Sequence, residues 1–278
     1  MLRLLNIELF KLKHNRSVKV ISSIYFILIT FIALIASIEF NLGSVHFRVA
    51  DQGIFNFPFI WHFNTYMAAI LKLFLAIVIV SMMSNEYSYR TLEQNLIDGL
   101  SKKEFVLSKF LTVLLFASIS TIFIFAVSLI LGLSFSDYNE IGIIFSDMEY
   151  IAAYFIKLVA FFSFCLFLGV LVKRSAFALG FLIVWQIIEW LLYGLMKWQI
   201  FKDTEIADKV SMFFPLNAMA NLIKEPFSRL GVIQSAATQL GESFTKDYQV
   251  GFLNIVIVLA WTAIFIYGSY AILKKRDL

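Results

Sequence analysis

The stretch that decides the fold runs from Asn85 to Lys109 and reads NEYSYRTLEQNLIDGLSKKEFVLSK. It is polar and amphipathic, and it stands between two apolar runs, residues 66–83 and 110–133. Each run is long enough to cross a bilayer, because about 20 residues at a rise of ~1.5 Å span a ~30 Å hydrocarbon core. We therefore expect the insert to lie at one membrane surface, within reach of a soluble partner.

The composition is that of an integral membrane protein. Of the 278 residues, 60% are hydrophobic, 17% are aromatic and 15% are charged, and the mean hydropathy is +0.84. Soluble domains carry about 25% charged residues, so a soluble domain is excluded. The net charge of +4 does not indicate nucleic acid as a partner, because the basic residues cluster between the apolar runs. The single cysteine, Cys165, lies inside an apolar run and is expected to be a buried thiol.

Six apolar runs predict an all-α integral membrane protein with a single transmembrane domain over residues 1–278. The predicted spans are 20–38, 61–83, 110–133, 151–172, 177–196 and 250–273. Lys and Arg concentrate in the N-terminal arm, the insert, the turn at 173–174 and the C-terminal tail, whereas the opposite short loops offer Arg48 alone. Both termini and the insert are therefore predicted to be cytoplasmic, since basic short loops stay inside.

The arm over residues 1–19 is predicted to be an interfacial helix. Leu2, Leu5, Leu9 and Leu12 recur at helical spacing, with basic residues at the positions between them. Such a helix lies in the headgroup plane and makes anionic membrane lipid a partner. The alternative is a plain cytoplasmic extension of the first span.

The insert itself predicts two helices. Leu92, Leu96 and Leu100 form an apolar stripe at a spacing of four residues, so a short amphipathic helix is predicted within 85–100. Gly99 suits the end of that helix, because glycine adopts the left-handed cap conformation without a Cβ clash. Ser101 and Glu104 form the spacing of a capping box, which predicts that the helix of the third span begins there.

This insert resembles the coupling helix in the membrane subunits (permeases) of type-2 ATP-binding-cassette (ABC) exporters. In that family the second and third spans are joined by a pattern like E-x-x-x-G-T-L-x-x-L-L, and a lysine opens the third span. The matching residues here are Glu86, Thr91, Leu92, Leu96 and Lys109. Arg90 stands where the family usually has glycine, and Asp98-Gly99 where proline is common. The layout of an amphipathic start, six spans and a long outer loop before the last extends the resemblance to the whole chain.

The resemblance implies a permease in the bacterial plasma (inner) membrane that exports an unidentified, hydrophobic or amphipathic substrate. A separate ABC ATPase subunit would bind ATP and Mg, so this chain would hold no cofactor and would not itself be an enzyme. A second permease copy, in a homodimer or a heterodimer, would complete the translocation path. Leu92, Leu96 and Ile97 would pack on the ATPase. The implied ATPase-coupling residues are Glu86, Arg90, Thr91, Leu92, Glu93, Leu96 and Ile97, with Glu86, Arg90 and Glu93 as polar contacts at the rim.

Other functions remain as alternatives. The insert could be a surface-bound helix without a partner, or the chain could be a non-transporting membrane anchor or assembly factor that recruits a cytoplasmic partner. An intramembrane enzyme is disfavoured, because no nucleophile–base pair or metal-ligand spacing stands out and the P-loop, H-E-x-x-H and G-x-S-x-G motifs are missing from the sequence. No catalytic or metal-binding residue is predicted.

Three ionisable residues fall within the spans: Lys72, Lys157 and Glu189. Lys157 and Glu189 each lie 16 residues from Lys173, so a rise of ~1.5 Å places them at equal height, and a bridge between them is the first interpretation. The alternatives are contact with substrate and snorkelling to the outer interface. Lys72 is expected near the midplane, where it either pairs with Glu189 or lines the translocation path.

The segment 199–249 is too long for a simple connection. Its stretch Phe213-Phe214-Pro215-Leu216 opens an amphipathic region, and similar loops of the resembled family form re-entrant or extracellular helices before the sixth span. A gating role and a solvent-exposed cap are both compatible with this pattern.

Overall fold

The computed structural model describes residues 2–37, 39–42, 45–48, 53–138, 140–201, 205–239 and 247–276. Within these ranges most of the chain is helical, as the composition predicted. The α-helices are α1 (Leu2–His14), α2 (Arg16–Ser37), α3 (Phe59–Ser88), α4 (Thr91–Ile97), α5 (Lys102–Phe135), α6 (Ile141–Ile144), α7 (Glu149–Val172), α8 (Ser175–Leu195), α9 (Glu205–Ser211), α10 (Pro215–Asn221), α11 (Gly231–Gln239) and α12 (Phe252–Lys275). A π-helical turn (Met196–Ile200) extends α8, and a 3₁₀ turn covers Phe227–Arg229.

The predicted all-helical class is confirmed, and a short hairpin is added to it. Strands β1 (Glu39–Leu42) and β2 (Val45–Arg48) pair in antiparallel register, from Glu39 opposite Arg48 to Leu42 opposite Val45. The hairpin lies in the predicted loop after the first span, where the sequence reading assigned no regular structure. It therefore adds a small element outside the helical bundle.

The protein is a multi-pass membrane protein by the length and composition of its helices. Five stretches are long and apolar enough to cross a bilayer: Phe59–Ser88, Lys102–Phe135, Ile141–Val172, Ser175–Ile200 and Phe252–Lys275. Helices α1 and α2 meet at a bend of 86°, and they bring the number to six if the bent pair counts as one span. The first predicted span falls on α2, apart from Ile38, which lies outside the described residues.

Helix α7 is the centre of the bundle. It packs against α3, α5, α8 and α12. In the stretch Ile141–Val172, which contains α7, 72% of the most apolar 18 residues are buried. The helix carries Tyr154, Lys157 and Ser163, and polar groups inside a membrane face protein in preference to lipid, which explains this position. Gly169 permits a close approach of α3, because a Cβ at this position would lie 2.9 Å from the Cβ of Met83.

A buried hydrogen-bond triangle joins three helices inside the membrane region. The hydroxyl oxygen of Tyr25 on α2 lies 2.5 Å from that of Ser120 on α5 and 2.7 Å from that of Tyr154 on α7. Ser120 and Tyr154 close the triangle at 2.9 Å. Each hydroxyl is thereby satisfied where water is excluded, so the triangle also orients α2 against the bundle.

Arg276, at the end of α12, connects three helices at the end of the bundle where the insert lies. The guanidinium of Arg276 donates to the carbonyl oxygens of Val170 (2.7 Å) and Leu171 (3.1 Å), and to the Tyr87 hydroxyl at 2.8 Å. Because the last carbonyls of a helix have no intrahelical partner, Arg276 satisfies the end of α7. The ends of α3, α7 and α12 therefore meet beside the start of α5.

We predict that Gly169→Ala destabilises the bundle. The new methyl group would press on the Met83 side chain close to its backbone, and overpacking of this kind costs about 1–3 kcal/mol. Thermal unfolding of the detergent-solubilised protein measures the effect. Gly180→Ala is the matched control, because a Cβ there meets nothing within 4 Å. Equal unfolding temperatures for the two variants would contradict the close packing of α3 on α7.

Candidate functional site

The insert forms one short helix between two sharply defined ends. Residues 85–88 continue α3, so the predicted coupling helix over 85–100 is shorter than expected and spans only Thr91–Ile97. The break falls at Arg90, whose backbone is left-handed (φ 55°, ψ 20°). This is the position where the resembled family usually has glycine, the residue that adopts this conformation most easily.

Both predicted boundary signals are confirmed. At Gly99 (φ +93°) the amide of Leu100 donates to the carbonyl of Asn95, and the amide of Gly99 to that of Leu96, which is a Schellman ending. Ser101 accepts from the amide of Glu104, and the Glu104 carboxylate accepts from the amide of Ser101, which completes the capping box. Helix α5 then runs from Lys102 directly into the apolar region.

The apolar stripe of α4 faces the protein's own core, which corrects its interpretation as a partner-binding surface. Leu92 is 1% exposed, and Leu96 and Leu100 pack against the buried core. The apolar side chains that solvent can reach are Ile97, 85% exposed, and Tyr89, 74% exposed. The stripe thus anchors α4 to its own chain, and of the three predicted apolar contacts Leu92 is buried, Leu96 is half-buried and Ile97 is exposed.

Four charged side chains meet beneath α4 in a cluster formed by Glu8, Lys11, Glu86 and Lys109, hereafter the four-charge cluster. The Lys109 ammonium lies 2.7 Å from the Glu8 carboxylate and 2.6 Å from that of Glu86. Lys11 binds the same Glu86 oxygen at 2.8 Å. Two positive and two negative charges therefore compensate each other across α1, α3 and α5.

Polar groups around the cluster saturate its carboxylates. The Thr91 hydroxyl donates to Glu86 at 2.5 Å, the Asn95 amide donates to it at 3.5 Å, and Ser108 donates to Glu8 at 3.3 Å. Glu8, Glu86 and Lys109 are at most 3% exposed. A buried charge without partners costs several kcal/mol, so this arrangement holds the four elements in one geometry.

This geometry corrects the roles expected for Glu86 and Thr91. Glu86 lies in the interior and cannot be a rim contact for a partner, because Lys11, Lys109 and Thr91 already occupy its oxygens. Thr91 is the first residue of α4 and ties that helix to the end of α3. Arg90 and Glu93 are exposed, as expected for rim residues.

Sequence reasoning missed Glu8 and Lys11. The predicted apolar face of α1 consisted of Leu2, Leu5, Leu9 and Leu12. In the structure Leu9 is 38% exposed, and the buried face consists of Leu4, Glu8 and Leu12. The signal in the sequence was Glu8, an acidic residue that lies four positions from both Leu4 and Leu12 in an arm that is otherwise basic. A lone acid in that position indicates a buried cation on a neighbouring element.

The predicted bridge between Lys157 and Glu189 is wrong. Both side chains instead bind the short helix α10, which inserts against α7, α8 and α12. The Glu189 carboxylate accepts from the amides of Leu216 (3.1 Å) and Asn217 (2.9 Å) at the start of α10. The Lys157 ammonium donates to the carbonyls of Ala220 (3.4 Å) and Ile223 (3.5 Å) at its end. Unpaired backbone groups thus take the place of the expected counter-ion.

The predicted pairing of Lys72 with Glu189 is also wrong, since Glu189 is occupied by α10 and by the indole of Trp185 at 2.7 Å. The Lys72 ammonium lies over the Phe161 ring, 4.5 Å from its centroid, which is a cation–π contact between α3 and α7. The buried position of α10 also departs from a solvent-exposed cap, although residues 202–204 and 240–246 of this loop lie outside the described ranges. Among the described residues, no group of three or more His, Cys, Asp or Glu could hold a metal ion.

We predict that Lys109→Met is strongly destabilising, by about 3–5 kcal/mol, because it leaves Glu8 and Glu86 buried with the Lys11 ammonium as their remaining cation. Adding Glu8→Gln should recover part of the loss, since one of the uncompensated charges disappears. Thermal unfolding in detergent measures both variants. Lys103→Met, which removes an exposed charge one turn and a half earlier, serves as the control. A Lys109→Met variant as stable as that control would contradict the buried cluster.

We predict further that Glu189→Gln loosens α10 and that adding Lys157→Met does not restore it. The glutamine amide can accept one of the two backbone N–H groups but presents a donor to the other, which costs about 1–3 kcal/mol. Protease accessibility of residues 212–224 in detergent reports the loosening. Recovery of protection in the double variant would instead support a direct Lys157–Glu189 bridge.

Comparisons with known proteins place the chain in a family. No curated protein that was compared matches it. One family model, described as "Protein of unknown function (DUF2705)", matches residues 25–278, which covers nearly the whole chain. The chain belongs to the DUF2705 family.

Proposed function

We propose that this protein is the permease subunit of an ABC exporter, with α4 as the helix that receives the movement of a separate ATPase. One observation carries the proposal: a short amphipathic helix with an exposed face is held by the four-charge cluster to the ends of two long apolar helices. A force applied to α4 would therefore displace α3 and α5 together. A surface-bound helix without a partner would have no need for such an internal attachment.

The exposed surface of α4 has the chemistry of a docking site. Ile97 and Tyr89 supply large apolar groups, and Arg90 and Glu93 supply charges of both signs beside them. Interfaces of this kind combine an apolar or aromatic anchor with a polar rim. In the proposal, Ile97 is the anchor in a groove of the ATPase, which binds ATP and Mg.

The proposal includes six spans, with α2 as the first, and both termini with α4 on the cytoplasmic side of a bacterial plasma membrane. Its support is the distribution of basic residues between the apolar runs. A second copy of the permease, identical or related, would pack against α2 and α8 to enclose the translocation path. Helix α8 suits that role because it is largely exposed. Only 17% of the most apolar 18 residues in the stretch Ser175–Ile200 are buried, whereas 72% are buried in the corresponding part of Ile141–Val172.

The short helix α10 would then be an outer gate above the path. It is inserted among α7, α8 and α12, and it is held at its two ends by Glu189 and Lys157. The Lys72 ammonium on α3 contacts the Phe161 ring, and its proposed partner during transport is an anionic group of the substrate. The substrate itself is a hydrophobic or amphipathic molecule in this proposal.

We predict that Ile97→Asp abolishes binding of the partner ATPase without affecting insertion into the membrane. A carboxylate cannot be desolvated in an apolar groove, whereas Ile97 contributes little to the protein's own core. The tagged chain is co-expressed with candidate P-loop ATPases from its own genome, and any co-purified complex is assayed for ATP hydrolysis. Ile141→Asp is the matched control, because Ile141 is 75% exposed and lies at the opposite end of the bundle.

Loss of the complex with Ile97→Asp and its retention with Ile141→Asp would support the proposal. A complex that survives Ile97→Asp, or a chain that binds no P-loop ATPase, would contradict it. An ATPase that binds through Ile97 but whose hydrolysis is insensitive to the permease would favour the membrane anchor instead.

A further inference from the structure

A groove of about 590 Å³ opens where α1 turns into α2, facing the last turns of α3. We call it the elbow groove. Its mouth carries the basic or polar side chains of Lys11, His14, Asn15 and Arg16. Its wall is apolar and consists of Val18, Ile21, Val78 and Met82. The polar and apolar parts lie on successive turns, so the groove matches an elongated molecule with one polar end.

Arg16 is the cation that most needs a ligand at this mouth. Its side chain is exposed, and within the described part of the chain no carboxylate lies within ion-pair distance of it. Lys11, by contrast, already binds Glu86, and Lys109 and Lys11 together compensate the two carboxylates of the groove floor. The floor is therefore neutral, and the mouth retains an uncompensated positive charge.

The position of the groove selects the kind of ligand. Helix α2 begins at Arg16 and continues as an apolar helix, while α1 is turned away by 86°. With α2 as the proposed first span, this bend would put the elbow at the depth of the headgroups. The apolar wall runs from there along α2 and α3 toward the hydrocarbon. A ligand that fills both parts has an anionic head and an acyl chain.

We propose that the elbow groove is a binding site for one anionic phospholipid, with its phosphate at Arg16 and one acyl chain along Val18, Ile21 and Val78. Arginine binds phosphate oxygens through two parallel N–H groups, which a diffuse surface charge does not do. Glu86 and Thr91 also line the groove, so the bound lipid touches the attachment of α4. The proposal does not depend on the ABC exporter function, because it concerns occupancy of this groove alone.

The test compares two variants that remove the same charge from the same region. Arg16 lines the groove, whereas Lys13 is exposed on α1 and does not. The full chain is purified in a neutral detergent and titrated with phosphatidylglycerol or phosphatidylcholine, and bound lipid is counted by native mass spectrometry. We expect the wild type to retain one phosphatidylglycerol in preference to phosphatidylcholine. Arg16→Gln should weaken that binding on the order of tenfold, and Lys13→Gln should leave it nearly unchanged.

A second variant tests the acyl part of the groove. Ser81 lines it from α3, and Ser81→Trp would fill the space beside Val78, so we expect it to displace the lipid while Arg16 remains in place. Glycerol phosphate and inorganic phosphate are titrated in parallel as free anions. Equal weakening by Arg16→Gln and Lys13→Gln would overturn the proposal in favour of diffuse attraction. Two further results would overturn it: a free phosphate that binds as tightly as the lipid, and a Ser81→Trp variant that binds the lipid as the wild type does.

Discussion

Placing three buried charges, Glu8, Glu86 and Lys109, in an apolar membrane protein is the constraint on which this structure depends. Lys109 enters the interior from α5, and it can remain there only because Glu8 and Glu86 reach it from α1 and α3. Glu8, Glu86 and Lys109 are at most 3% exposed, so hydration compensates them little and each partner requires the others. The consequence is geometric: α1, the last turn of α3, α4 and the first turns of α5 form one body, although Lys11 of α1 is 75 residues from Glu86 in sequence. A short helix of seven residues, which would be unstable alone, is thereby held in place.

At the opposite end of the bundle, buried charges are also compensated, but by backbone groups. Lys157 and Glu189 are each 4% exposed, and each is compensated by the backbone of α10 instead of by an opposite charge. The amides at the start of a helix attract an anion and the carbonyls at its end attract a cation, so the two side chains bind the two ends that suit them. A segment that enters the bundle from a loop is thus satisfied at both ends. Helix α7 connects the two charge systems, because it carries Lys157 and packs against α3 and α5, which carry Glu86 and Lys109.

The sequence was sufficient for the features that depend on local chemistry. The apolar runs predicted the long helices, Gly99 predicted the end of α4, and Ser101 with Glu104 predicted the start of α5. Each of these features depends on residues that are close together in sequence. The pairing of charges was not accessible in the same way. Lys157 and Glu189 were matched by depth along their helices, but depth does not reveal that the short helix α10 binds both side chains. Likewise, the stripe of Leu92 and Leu96 shows that α4 has an apolar face, and periodicity cannot tell whether that face meets a partner or the protein's own core.

The central claim is that α4 is fixed to the ends of α3 and α5 by buried charges and not merely laid on the membrane surface. Hydrogen–deuterium exchange of the backbone amides of residues 91–97, in the full-length protein reconstituted in lipid nanodiscs, tests this most directly. The account predicts that these amides exchange as slowly as those in the adjoining turns of α3 and α5, because opening α4 would expose Leu92 and break the Thr91–Glu86 hydrogen bond. Exchange of α4 within the first seconds, while the neighbouring turns stay protected, would contradict it.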